Sequence, residues 1–197
     1  IAAGRSELDE GRAEQAQALF EEADAKTKGD MRTRVWVLRS WVDQGRYNDA
    51  FNQMELLERA GAEGAPVDYI FGMGSYRRAL DNMAAGGSST VQLALVDAAN
   101  YLKSATDGNG ELFDDAFTPL AHAAWLAHEP SQLDLAMSAS ERGVAARATS
   151  HHAHYVRGLV CVWQTTDAAG REDEKAKIAA ANKGLAAFDK AAELLAK

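Results

Sequence analysis

Only one cysteine, Cys161, and three prolines occur in 197 residues. A single thiol cannot close an intrachain disulfide, and it leaves the redox compartment open. So few prolines leave long helices uninterrupted. Period-two runs of Val, Ile and Thr, the pattern of a half-buried strand, are absent. No stretch of some eighteen unbroken apolar residues is present either, so no segment is read as spanning a bilayer. Positive charge is in deficit: 21 Lys and Arg stand against 29 Asp and Glu, a formal net charge of -8. Nucleic-acid binding needs a basic surface that displaces counterions from phosphate, so that class of partner is not expected, and anionic membrane surfaces are disfavoured.

What remains is rich in helix formers. Hydrophobic residues make up 47% of the chain, enough to build a core, and alanine recurs throughout. The chain is read as all-α, a single domain over 1–197. It starts at Ile1 rather than Met, so it is read as part of a longer or processed chain. Compartment and oligomeric state are not readable.

Gly11-Arg12-Ala13 and Gly45-Arg46-Tyr47 lie 34 residues apart, and the residues beyond each triplet correspond. Ala16, Phe20 and Ala23 come after Gly11 at +5, +9 and +12. Ala50, Met54 and Leu57 come after Gly45 at the same offsets. The pattern sets a small residue first and larger apolar ones mostly later. In period and pattern the segment resembles the tetratricopeptide repeat, a helix-turn-helix unit of that length. The resemblance implies a right-handed α-solenoid of about five antiparallel hairpins. It also implies a scaffold or adaptor function, a peptide or partner domain being held on the concave face.

Spacing along the chain predicts a first hairpin with a clipped helix A before Asp9 and helix B over about 13–26. Gly29-Asp30 separates it from a second, with Val35, Trp36, Leu38, Trp41 and Val42 at helical spacing, a break at Gly45, and helix B over about 48–60. Gly61 to Pro66 is read as a connector, Pro66 suiting a first helical turn. Tyr69 to Met83 is a third helix A, with Gly72 at the close-packing position that Leu38 holds one period earlier. Gly86 to Ser89 is read as a loop, helix B as about 90–105, and Asp107 to Gly110 as a turn. A fourth hairpin is expected over 111–128 and 130–148. Pro119 there lies in a first turn with Thr118 as N-cap, or kinks a longer helix. Ser150 caps a fifth helix A, in which Gly158 comes 34 residues after Ala124. A loop at 166–171 then leads to a long last helix, about 172–195, bearing Gly184, Phe188 and Ala191.

Carried over by register, the resemblance puts Arg32, Val35, Arg39 and Asp43 on the inner face of the second unit. It puts Tyr69, Met73, Tyr76 and Arg77 there in the third, and His152, Tyr155, Leu159 and Trp163 in the fifth. Aromatic and arginine side chains suit a peptide groove through contact area and bidentate carboxylate contacts. The competing reading is that the tyrosines pack the next hairpin, since one register step turns a helix face by about 100°. On the first reading Arg39, Tyr76 and Trp163 are solvent-accessible on one side.

The cluster Lys26, Lys28, Arg32, Arg34 and Arg39 is either a seat for a carboxylate-rich tail or a solvated mixed-charge face. The acidic-tail clamp of this family uses Lys and Asn at places here held by Arg5, Trp36 and Arg39, so that clamp is not expected. His151, His152 and His154 precede Cys161. A metal-dependent enzyme would need three or four such ligands converging, and the spacing supplies no His-x-x-x-His with Glu. Asp107, Asn109 and Glu111 start like a calcium loop, but Leu112 and Thr118 occupy its Gly and Glu places. There is no phosphate loop and no Gly-x-Ser-x-Gly. No catalytic residue, metal or cofactor is assigned. A purely structural role within a larger chain is the remaining alternative.

Overall fold

The computed structural model describes residues 1–87, 90–170 and 173–196. All regular structure among these residues is helical, as the composition predicts. The helices are α1 (Ala2–Asp9), α2 (Ala13–Lys26), α3 (Met31–Asp43), α4 (Tyr47–Arg59), α5 (Ala65–Ala84), α6 (Val91–Asn109), α7 (Phe117–Ala127), α8 (Leu133–Ala146), α9 (His151–Gly170) and α10 (Glu174–Leu195). Short 3-10 turns, Asp114–Ala116 and Pro130–Gln132, precede α7 and α8. The chain forms two compact units, Ile1–Asn109 and Gly110–Lys197.

The turns at Gly11, Gly45 and Gly61 share one construction. Gly11 and Gly45 have φ of +75° and +76°, open to glycine at no steric cost. The Gly11 N–H donates to the Leu8 carbonyl and the Arg12 N–H to that of Glu7, at 3.0 and 2.8 Å. Gly45 and Arg46 donate to Val42 and Trp41 in the same way, at 3.0 and 2.9 Å. This paired i−3 and i−5 bonding satisfies the last carbonyls of each helix and reverses the chain. The same pair of bonds closes α4, the Gly61 N–H donating to Glu58 and the Ala62 N–H to Leu57.

After each of the first two turns the residues at +5 and +9 go inside, while Ala23 and Leu57 at +12 are half-buried. Ala16, Phe20, Ala50 and Met54 are all at 0% exposure. α3 is buried on nearly every side because α2, α4 and α5 all pack against it. Its first turn is held by Asp30, whose carboxylate accepts the Arg32 N–H at 2.8 Å. An aromatic series, Phe20–Trp36–Tyr69, joins α2, α3 and α5 with ring centroids 5.9 and 5.7 Å apart. A second, Phe51–Phe71–Tyr101, joins α4, α5 and α6. Each fully buried ring of this kind stabilises the unit by about 1.5–3 kcal/mol.

Glycines recur where helices cross. A Cβ on Gly4 of α1 would overlap the ring of Phe20 on α2. On Gly72 of α5 it would lie 2.8 Å from Leu102 Cγ of α6. On Gly158 of α9 it would overlap Phe188 of α10. In each pair a glycine of one helix receives a large side chain of the next one.

In the second unit, α7 runs against α8 with Thr118 facing Gly143 and the Arg142 guanidinium 3.9 Å from the centre of the Phe117 ring. α9 runs against α10, with Cys161 3.1 Å from a Cβ position on Gly184. Alanines at 0% exposure, among them Ala116, Ala121, Ala123, Ala124 and Ala127, let these helices approach closely.

Several boundaries differ from expectation. α6 runs through Asp107 and Gly108 instead of turning there, and Lys103 pairs with Asp107 one helical turn on, at 2.6 Å. Gly108 serves a close approach to Ala65 of α5, 3.0 Å from where its Cβ would stand. α9 continues across the expected loop, with the hydroxyls of Thr165 and Thr166 donating back to the carbonyls of Cys161 and Trp163. Pro119 does lie in the first turn of α7, but the helix opens at Phe117, so Thr118 is inside it and not its cap. Ser150 caps α9 as expected, accepting the Ala153 N–H at 3.2 Å. Of the two expected loops, Ser88, Ser89 and Arg171 lie outside the described residues.

Candidate functional site

Four of the inner-face positions of the first unit, Arg39, Asp43, Tyr69 and Arg77, meet in one polar network between α3 and α5. Arg39 Nε donates to Asp43 Oδ2 at 3.0 Å, one helical turn away, with side-chain exposures of only 8% and 12%. A second Arg39 nitrogen donates to the hydroxyl of Tyr69 on α5. Asp43 also receives Arg77 of α5, at 3.3 Å. The carboxylate is thus shared between one buried and one open guanidinium, which offsets the cost of burying an ion pair. Beside this network Tyr76 is nearly closed to solvent. Its burial pushes the phenol up to about 12, against a smaller opposing effect of Arg77 and Arg39.

Not all the assigned positions are open. Val35, Tyr69 and Met73 are at 0% exposure and Tyr76 at 2%; Arg39 and Trp163 are each at 6%. The expected accessibility of Arg39, Tyr76 and Trp163 therefore does not hold. For the residues of the first unit the physical reason is the packing of α5 on α3: Trp36 meets Tyr69 edge-on, and the Arg39 guanidinium lies 5.7 Å from the Tyr69 ring centre. Trp163 instead stacks on His128, with ring centroids 4.8 Å apart. Arg32, Arg77 and Tyr155 are exposed, as is His152, and Leu159 is half-buried.

The basic cluster disperses into local pairs. Lys26 meets Glu22 at 2.6 Å, Arg34 meets Asp24 at 3.2 Å, and Arg39 meets Asp43. Lys28 takes a left-handed turn conformation after α2. The histidines ahead of Cys161 also separate. His154 Nε2 lies 3.0 Å from the Ala148 carbonyl, while His152 turns edge-on to His122 of α7. Burial, with a smaller contribution from His152, depresses His122 to about 4. Among the described residues no group of three or more His, Cys, Asp or Glu is placed to hold a metal ion. No helix is long and apolar enough to cross a membrane among those residues.

Sequence reasoning missed the hydrogen bond from the Tyr47 hydroxyl to Asp81, which joins the start of α4 to the end of α5. A signal existed: the two residues are one 34-residue period apart. Comparison with family models, curated proteins and solved structures gives no match to this chain.

Proposed function

We propose that this chain is a protein-interaction module built of tetratricopeptide-like helical hairpins, serving as a scaffold or adaptor for a peptide or partner domain. The observation that carries the reading is the recurrent glycine-under-side-chain crossing at Gly4/Phe20, Gly72/Leu102 and Gly158/Phe188. Crossings of one kind within successive hairpins are what similar helix-turn-helix units share, and arrays of such units make extended binding surfaces. The partner contacts fall on the assigned residues that remain open: Arg32 and Arg77 in the first unit, Tyr155 in the second. Arg39, Asp43, Tyr69, Met73, Tyr76 and Trp163 then act from beneath, by holding the helices that present those side chains.

The test is site-specific photo-crosslinking in the native cell, with the reactive residue at position 32, 77 or 155. Positions 55 and 59, exposed on α4, are the controls. One discrete partner captured from the first set and not from the controls is the expected result. Equal capture from all five positions, or none from 32, 77 and 155, refutes it.

A further inference from the structure

Ile178, Leu185 and Leu195 of α10 stand open to solvent, at 53%, 62% and 71% exposure. They belong to a series, Ile178, Ala181, Leu185, Phe188, Ala192 and Leu195, spaced alternately three and four residues apart. That spacing is the seam of a coiled coil, which turns one edge of a helix toward a second helix. The edge that α10 buries against α9 is a different one, with Gly184 set against Cys161. Along the seam Phe188 is half-buried beside Tyr155 of α9, ring centroids 5.8 Å apart, and the other five residues are exposed. A surface helix ordinarily keeps one apolar stripe and turns it to the core, so a second, open stripe marks an interaction site.

The charges beside the seam select its partner. Gly184 and Ala191 mark the flank toward α9. On the opposite flank stand Lys175, Asn182 and Asp189, each seven residues after the one before and all exposed. The other charges of α10 are taken up or turned away. Glu174 pairs with Lys177 at 3.5 Å and Glu193 with Lys190 at 2.7 Å, while Lys183 holds the heptad position farthest from the seam. No such ion pair engages Lys175 or Asp189 among the described residues. A two-fold axis crossing α10 beside Asn182 and Lys183 lays a second α10 over the first in the opposite direction. Lys175 of each copy then meets Asp189 of the other, and Asn182 meets its own counterpart. In the seam Ile178 meets Phe188 and Leu185 meets Ala181. A parallel pair leaves Lys175 and Asp189 fourteen residues apart along the axis.

We propose that α10 is a dimerisation helix, pairing antiparallel with α10 of a second copy of this chain. The contact is isologous, the same patch serving both copies, so it closes at two chains and does not propagate. The apolar seam supplies the attraction, and the Lys175–Asp189 contacts, made twice by symmetry, set direction and register. Of the residues assigned to the partner surface only Tyr155 borders the seam, so capture through positions 32 and 77 tests that surface separately.

The experiment is sedimentation equilibrium of the full chain over a concentration series, with circular dichroism to show that each variant is folded. A monomer–dimer equilibrium is expected. Leu185→Asp abolishes the dimer; Ile178→Asp, also at an exposed position, serves if that variant does not fold. Lys175→Asp and Asp189→Lys each weaken the dimer by roughly threefold to thirtyfold, because symmetry sets like charges together twice at the scale of exposed pairs. The doubly reversed Lys175→Asp/Asp189→Lys chain regains the wild-type association. A monomer at every concentration, association that continues past the dimer, a dimer that survives Leu185→Asp, or a double reversal no tighter than the single ones overturns the proposal.

Discussion

Replacing Gly72 with alanine sets two effects of opposite sign against each other. Alanine is the better helix former by about 1 kcal/mol in a helix interior, so propensity alone makes Gly72→Ala stabilising. The structure opposes this. The new Cβ would stand 2.8 and 2.9 Å from Leu102 Cγ and Cδ2, and 3.0 Å from the Leu102 backbone nitrogen. Leu102 is at 0% exposure, so its side chain has no open space to swing into, and the backbone of α6 must give way as well. Overpacking of this kind costs typically ~1–3 kcal/mol, and contact with backbone puts it in the upper part of that range. The net expectation is a loss of about 1–2 kcal/mol. At roughly 4–6 °C per kcal/mol for a unit the size of Ile1–Asn109, the melting temperature falls by about 4–12 °C. Circular dichroism melts of the two proteins measure this. Because there are two compact units, the shift is read on the transition that contains α5 and α6. Introducing Gly72→Ala into a Leu102→Ala background removes two of the three close approaches. Its cost should then drop, with a coupling of about 0.5–3 kcal/mol. A rise in melting temperature for the single variant would refute the close crossing and with it the repeat geometry built on it.

Ala50→Leu should cost roughly 1–3 kcal/mol in chemical denaturation, because Ala50 is fully buried beyond the Gly45 turn; an unchanged midpoint would place it on the surface. Arg39→Ala should destabilise by about 2–4 kcal/mol, less than a pair left wholly unpartnered because Arg77 still meets Asp43. Arg32→Ala, at an exposed position, should stay within about 0.5 kcal/mol of wild type, so equal losses from the two would contradict the network. His122 has a folded pKa of about 4 against an ordinary value of 6.5. Between those values the unfolded chain binds a proton that the folded one refuses. Stability is therefore complete above about pH 6.5 and is lost progressively down to about pH 4, by up to about 3 kcal/mol. His122→Gln should flatten unfolding free energy over that window; an unchanged slope would assign the acid sensitivity elsewhere.

The proposed interaction surface was only partly legible. Its residues were chosen by repeat register, which does not tell which flank of a helix stays open. Arg32, Arg77 and Tyr155 are open as that assignment needs, whereas Arg39, Tyr76 and Trp163 are not. The reading in which tyrosines pack the neighbouring hairpin fits Tyr69 and Tyr76, while Tyr155, at 46% exposure, fits the groove reading. The Asp24–Arg34 pair had no signal at all. Its members are ten residues apart, on different helices, and meet only because the turn at Lys28 and Gly29 folds α3 back on α2.

Local chemistry in the sequence was enough to determine that the chain is helical and that it reverses at Gly11 and Gly45. It also determined that Ala16 and Ala50 lie inside, because glycine freedom, capping and helical periodicity act over a few residues. Tertiary structure alone decided where a helix continues past a turn-like sequence. Gly108 reads locally as a break, yet α6 passes through it because the contact with Ala65 uses the missing side chain. Tertiary structure also decided which polar groups are buried together. A period of 3.6 residues tells that α3 has apolar flanks but not what will cover each one. Arg39 is drawn inside by Asp43 and by a tyrosine thirty residues away, a partner that exists only once α5 has packed on α3.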